Sequence, residues 1–171
     1  ALINGISAMK QGDPFNADTT IGPMARMDLA AQLESQLQIS LRKGAGLLAG
    51  GARKGANFLP SVLDHVGKGM PAFDEELFGP IAAVISAANA EDAIAMANDS
   101  RYGLGASIFT QDMDKAKHYA RQIESGSVFV NALVKSDPRI PFGGIKRSGY
   151  GRELSHFGMK EFMNIKTIYI A

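Results

Sequence analysis

An acidic run, Asp74-Glu75-Glu76, stands directly before Leu77-Phe78-Gly79-Pro80 and an apolar stretch that begins at Ile81. A carboxylate accepts hydrogen bonds from hydroxyls, and an aromatic ring offers a flat apolar face. Glu76 and Phe78, two residues apart before a sheet edge, could therefore hold the hydroxyls and the flat ring of one ligand. Ligands of α/β sheets settle at loops beside strand ends. The same acidic run also reads as the charged first turn of a solvent-facing helix. A second candidate is PFGGIKRSGYGRE, from Pro141 to Glu153, which holds four glycines and three basic residues. Its glycines do not give G-x-G-x-x-G, and Lys146 is followed by Arg147 rather than Ser or Thr, so neither phosphate cradle is present. Gly103-Leu104-Gly105 fails too, because Ile108 stands where the third glycine belongs. Tight turns account for such glycines without any ligand.

Composition removes other chemistries. The chain of 171 residues has no cysteine, so it supplies no disulfide, thiolate metal site or cysteine nucleophile. His65, His118 and His156 show neither i, i+4 pairing nor an acidic cluster nearby, and no metal site is expected. No G-x-S-x-G elbow is present. Eighteen Lys and Arg against seventeen Asp and Glu give a formal charge of +1, which argues for neither nucleic acid nor an anionic membrane as partner. No apolar run approaches the roughly 18 residues of a membrane span. The opening ALINGISAMK has no basic region ahead of its apolar residues, so a cytoplasmic location is expected rather than secretion.

The elements that must position these residues follow from periodicity. Leu2, Ile3, Ile6 and Met9 predict a helix ended by Gly12-Asp13-Pro14. Ala30, Leu33, Leu37 and Leu41 predict a second, from about Arg26 to Lys43, stopped by Gly44. Strands are expected near Leu47-Leu48, from Phe58 to Val66, from Ile81 to Ser86, from Ala106 to Phe109 and from Ser127 to Val130. Helices are expected around Glu91 to Asn98, from Asp112 toward Gly126, and from Leu154 to Met163. A final strand is expected from Ile165 to Ile170. Strand and helix in alternation predict an α/β fold, with crossover helices on a mostly parallel sheet.

FDEELFGPIAAV (Phe73 to Val84) resembles the EE-[IL]-F-G-P segment of NAD(P)-dependent aldehyde dehydrogenases. Further stretches match in the same order. They are GDPFNADTTIGPM from Gly12, ANDSRYGLGASIFTQDMDKA from Ala97, SGSVFVNA from Ser125 and PFGGIKRSGYGRELSHFG from Pro141. The likeness runs essentially from end to end. VKSDPRIPFGG (Val134 to Gly144) is further similar to bacterial succinate-semialdehyde dehydrogenases.

The resemblance implies residues 1–171 of an aldehyde-dehydrogenase-like catalytic domain in part, the stretch after the nucleophile. The family's cysteine, its general-base glutamate and its oxyanion-hole asparagine would all lie upstream of Ala1. By position, Glu76 matches the glutamate that binds the nicotinamide ribose of NAD or NADP, and Phe78 the aromatic that holds the nicotinamide end. Asn131 matches the asparagine that closes the strand before the substrate loop. Phe142 matches a wall of the aldehyde tunnel. Lys135, Ser136 and Arg139 replace the usual aromatics of that loop and would suit a distal carboxylate, Ser136 first. Relatives often carry Gln and Lys for the adenine ribose where this chain has Leu29 and Gln32. Arg152 and Glu153 are expected to pair and anchor the glycine-rich turn. Residues of about 164–171 resemble the terminal strand at the oligomer interface, so a homodimer or homotetramer is expected.

The reaction so implied is oxidation of an aldehyde by a whole enzyme, with this stretch inactive alone. A stand-alone binding or assembly module on the same fold is the other reading.

Overall fold

The computed structural model describes residues 1–171. It divides into two units, Ala1–Ser86 and Ala87–Ala171.

The first unit is organised by one long helix. A short helix α1 (Leu2–Ser7) precedes α2 (Met27–Arg42). Asp28 in the first turn of α2 and Arg42 in its last complement the helix dipole. Gly44, at φ 109°, turns the chain out of the helix. Ala30, Leu33, Leu37 and two polar residues, Gln36 and Ser40, make its buried face. Then come β1 (Gly46–Ala49), the hairpin β2 (Arg53–Lys54) with β3 (Asn57–Phe58), β4 (Ser61–Asp64), α3 (Pro71–Asp74) and β5 (Ile81–Ala83). The sheet order is β1-β4-β5. β1 runs antiparallel to β4 with a bulge between Leu47 and Ala49, and β4 runs parallel to β5 with Ser61 opposite Ile81. Leu33, Leu37, Phe58, Leu63 and Val66 fill the space between helix and sheet. Burial of each such side chain stabilises the fold by about 1.5–3 kcal/mol before chain entropy is counted.

The strand expected from Phe58 to Val66 is broken. Pro60 has no N–H to donate, and Ser61 Oγ donates to the Leu59 carbonyl at 2.6 Å, so the chain steps from hairpin to sheet there.

The second unit holds α4 (Ala90–Asn98), β6 (Tyr102–Gly103), β7 (Ala106–Ile108), α5 (Met113–Ala120), β8 (Val128–Val130), β9 (Ile145–Lys146) and α6 (Ser155–Glu161). Asn89 caps α4 by accepting the Asp92 N–H, and Asp112 caps α5 by accepting the N–H groups of Asp114 and Lys115. α5 is the crossover between β7 and β8, which pair in parallel with Ala106 opposite Val128. β6 and β9 pair antiparallel. The parallel expectation thus holds at β4–β5 and β7–β8. The pairs β1–β4, β2–β3 and β6–β9 are antiparallel.

No strand forms within the chain between Ile165 and Ile170, and their apolar side chains are exposed. A strand exists only where another ladder accepts its hydrogen bonds, and this chain offers none there. The strand expectation is not met within the chain itself.

Candidate functional site

Glu76 and Phe78 sit in the first unit, between α3 and β5. Side chains alternate along this extended stretch. Leu77 points inward and packs on the core, while Glu76 and Phe78 face out. Tight turns follow, with the Gly79 N–H donating to the Leu77 carbonyl and the Ile81 N–H to the Gly79 carbonyl, both at 2.8 Å. A Cβ at Gly79 would lie 2.4 Å from Leu33 Cδ2 and would have to displace that side chain, so glycine lets the segment lie close to α2. The Glu76 carboxylate is exposed and makes no hydrogen bond or ion pair within the chain. The Phe78 ring is 69% exposed. Beside it runs a groove of about 310 Å³ lined by Met24, Ala25, Leu29, Leu77, Phe78 and Gly79. An acceptor-only carboxylate beside an open ring and an apolar groove suits a sugar with free hydroxyls joined to a flat heterocycle. Leu29 lies in that groove and brings no polar atom to it.

Of the acidic run, only Asp74 lies in a helical turn. Asp74 ends α3, and Glu75 and Glu76 lie beyond it. They are held by Gln36, a buried residue of α2 that pattern reading did not single out. Its Nε2 donates to Glu75 Oε2 at 2.8 Å and to the Glu76 carbonyl at 3.2 Å. The signal was a polar residue on the inner face of a helix.

Phe142, Lys135, Ser136 and Arg139 lie in the second unit, on the connection from β8 to β9. Asn131 opens that connection at φ 52°. Its carboxamide accepts the Thr110 N–H at 2.9 Å and donates to the Thr110 carbonyl at 2.8 Å, continuing the ladder through a side chain. Lys135 and Ser136 are exposed, and the Ser136 hydroxyl has no hydrogen bond within the chain.

Arg139 is not free. Its Nε and Nη2 donate to the two Asp137 carboxylate oxygens at 2.9 and 2.6 Å, and its backbone N–H donates to Asp137 Oδ1 at 3.0 Å. The side-chain bonds from Arg139, its backbone N–H and, last, the charge of Lys135 hold the Asp137 carboxyl far below the usual range, and the Asp137 carboxylate in turn raises Arg139. Two of the five guanidinium N–H groups are engaged, which leaves three for another acceptor.

Phe142 is half-buried and pairs with Glu153 through both backbone bonds, at 2.9 and 2.8 Å. It lines an open groove of about 670 Å³ with Gly144, Ser148, Tyr150, Arg152 and Phe162. The expected Arg152–Glu153 ion pair does not form. Arg152 Nη1 donates instead to the carbonyls of Gly144 and Gly151, at 2.9 and 2.6 Å, because the turn presents two unpaired carbonyls to one guanidinium. The glycines serve close approach. A Cβ on Gly126 would sit 1.7 Å from the Gly143 carbonyl oxygen. At the far end, Leu154 (φ 64°, ψ 174°) and Ser155 (φ 52°) place the Ser155 N–H 3.0 Å from the Pro138 carbonyl.

Comparison with known proteins gives one answer. Residues 1–168 match the aldehyde dehydrogenase family. A succinate semialdehyde dehydrogenase [NAD(P)+] of Escherichia coli is 49% identical over 171 residues, covering 98% of this chain and 37% of that protein. The crystal structure of succinic semialdehyde dehydrogenase from Streptococcus pyogenes with NADP+ is 39% identical at a TM-score of 0.94, over 99% of this chain and 38% of that one. Betaine aldehyde dehydrogenase of Staphylococcus aureus with NAD+ is 34% identical at a TM-score of 0.89, over 94% and 33%. The chain therefore spans somewhat over a third of the length of the curated relatives it matches.

Proposed function

Because the chain belongs to the aldehyde dehydrogenase family, we propose that it forms the cofactor-gripping and substrate-walling part of an enzyme that oxidises succinate semialdehyde to the carboxylate with NAD or NADP. The observation that carries this reading is the pairing of a free carboxylate, Glu76, with an open ring, Phe78, in the match to relatives of that activity.

A bound nicotinamide group would supply the hydride acceptor for this oxidation. Glu76 would hold the hydroxyls of the nicotinamide ribose, and Phe78 would limit the swing of the nicotinamide end. Phe142 supplies an apolar wall that keeps water from the reacting carbonyl until it is needed. The Ser136 hydroxyl and the Lys135 ammonium meet the distal carboxylate of the substrate. Arg139 reaches the same carboxylate only with the donors Asp137 leaves free. The Asp137 clamp therefore places Arg139 behind Ser136 and Lys135 as a contact.

A cysteine nucleophile is absent from the sequence. On this reading the chain alone does not turn over aldehyde. No helix is long and apolar enough to cross a membrane. The exposed apolar side chains of Ile165, Ile168 and Ile170 support burial of residues 164–171 in a homodimer or homotetramer.

The test is steady-state oxidation of succinate semialdehyde, with NAD and with NADP, by the native protein carrying this sequence and by this chain alone. The expected result is cofactor reduction by the first and none by the second. No reduction with either cofactor by the native protein refutes the activity, and reduction by the chain alone refutes the division of labour.

A further inference from the structure

We propose that Gln36 is a positioning residue for cofactor binding, fixing the direction of the Glu76 carboxylate from beneath. The inference rests on the reading of Glu76 given above.

Gln36 is only 7% exposed, on a helix face it shares with Ala30, Leu33, Leu37 and Ser40. An amide in that place is costly unless its groups are met, and an apolar side chain of the same length would fill the volume without the cost. The amide is met in a particular way. One nitrogen donates to the side chain of Glu75 and to the backbone carbonyl of Glu76. It thereby fixes both the backbone at Glu76 and the carboxylate of the residue before it.

Without that bond two adjacent carboxylates would be free to rearrange. With it, Glu75 is held toward α2, and the next side chain of the extended stretch must face the other way. Glu76 is thus left exposed and unpaired on the side of Phe78.

Ser40, one turn along, secures the same stretch from its other end. Its hydroxyl donates to the Gln36 carbonyl at 2.9 Å and accepts the Ala72 N–H at 3.0 Å. The polar stripe of α2 thus ties down both α3 and the strip that follows it. The link is side chain to backbone, so it survives any change of Glu76 itself. That makes it separable from Glu76 by experiment.

The test is a double-mutant cycle in the native protein carrying this sequence, with Gln36→Met, Glu76→Gln and both together, read as KM for the cofactor and KM for the aldehyde. Gln36→Met removes both donations and is expected to raise the cofactor KM about fivefold and to leave the aldehyde KM unchanged. The double variant is expected to be no worse than Glu76→Gln, because an aimed carboxylate that is gone cannot be misaimed. Additive losses, or equal rises in both KM values, overturn the positioning role. If Glu76→Gln leaves the cofactor KM unchanged, the ribose assignment fails and the proposal falls with it. Should Gln36→Met not fold, the surface variant Glu75→Ala takes its place. It frees the Gln36 amide from one of its two anchors and is expected to raise the cofactor KM about twofold. An unchanged value there overturns the proposal.

Discussion

Replacing Gly126 by alanine adds a single methyl group where the backbone of Gly143 already stands. The new carbon would lie 1.7 Å from the Gly143 carbonyl oxygen, 2.8 Å from its carbonyl carbon and 3.1 Å from Gly144 Cα. Carbon and oxygen settle at roughly 3.3 Å, so one segment must move by about 1.6 Å. Both are backbone, and neither can swing aside as a side chain would. Gly126 is not in the left-handed region, so the cost is one of volume alone. Such overpacking costs about 1–3 kcal/mol. Moving the segment also threatens the bond from the Gly126 N–H to the Gly103 carbonyl, worth about 1 kcal/mol more. A loss of about 3 kcal/mol is expected in chemical denaturation of the chain. Gly5→Ala is the control. Nothing lies within 4 Å of its Cβ and the residue is helical, so a gain of about 0.5–1 kcal/mol is expected. In the native protein the displaced Gly143 drags Phe142 with it, and the aldehyde KM should rise with the loss of stability. A denaturation midpoint for Gly126→Ala at or above the parent's would refute the close approach.

Other outcomes follow from the loop between β8 and β9. Asp137 has a folded pKa held below its unfolded value, so its contribution is present above the unfolded pKa, about 4, and is lost as pH falls toward the folded one. Asp137→Asn should flatten the acid limb of a stability-against-pH curve, and an unchanged limb would show that the clamp on Arg139 contributes nothing. Asn131→Ala removes both bonds to Thr110 and leaves a β-carbon residue at φ 52°, where asparagine is better tolerated. A loss of about 1–2 kcal/mol is expected by denaturation, with Asn131→Gly falling between parent and alanine.

Periodicity read the long elements correctly because they bury one face each. α2 announces itself through Ala30, Leu33 and Leu37, and α5 through its Asp112 cap and Ala116. The β7–β8 pair followed from the α5 crossover, whereas no crossover helix was expected between β4 and β5. Pairings such as Tyr102 with Lys146 were not legible, because two residues carry no period and their partner lies far along the chain. The strand predicted from Ile165 to Ile170 shows the converse. Its composition suits a strand, yet composition alone supplies no neighbour to bond. Glu76 and Phe78 stood out as candidates by type and spacing, and their outward direction agrees with the alternation about Leu77. Gln36 was missed because its partners are thirty-nine and forty residues away. Arg139 was read as a free cation because the Asp137 two places before it was not weighed as a competitor.

Leucine at position 154 occupies a backbone region that glycine alone enters at ease, and the serine after it is left-handed as well. Each such residue stores about 1–3 kcal/mol. Unwinding α6 relaxes both at once and releases the Pro138 carbonyl in the same motion. The junction is therefore an elastic latch. On warming, the connection from β8 to β9 is expected to come adrift together with α6, ahead of the β7–β8 pair.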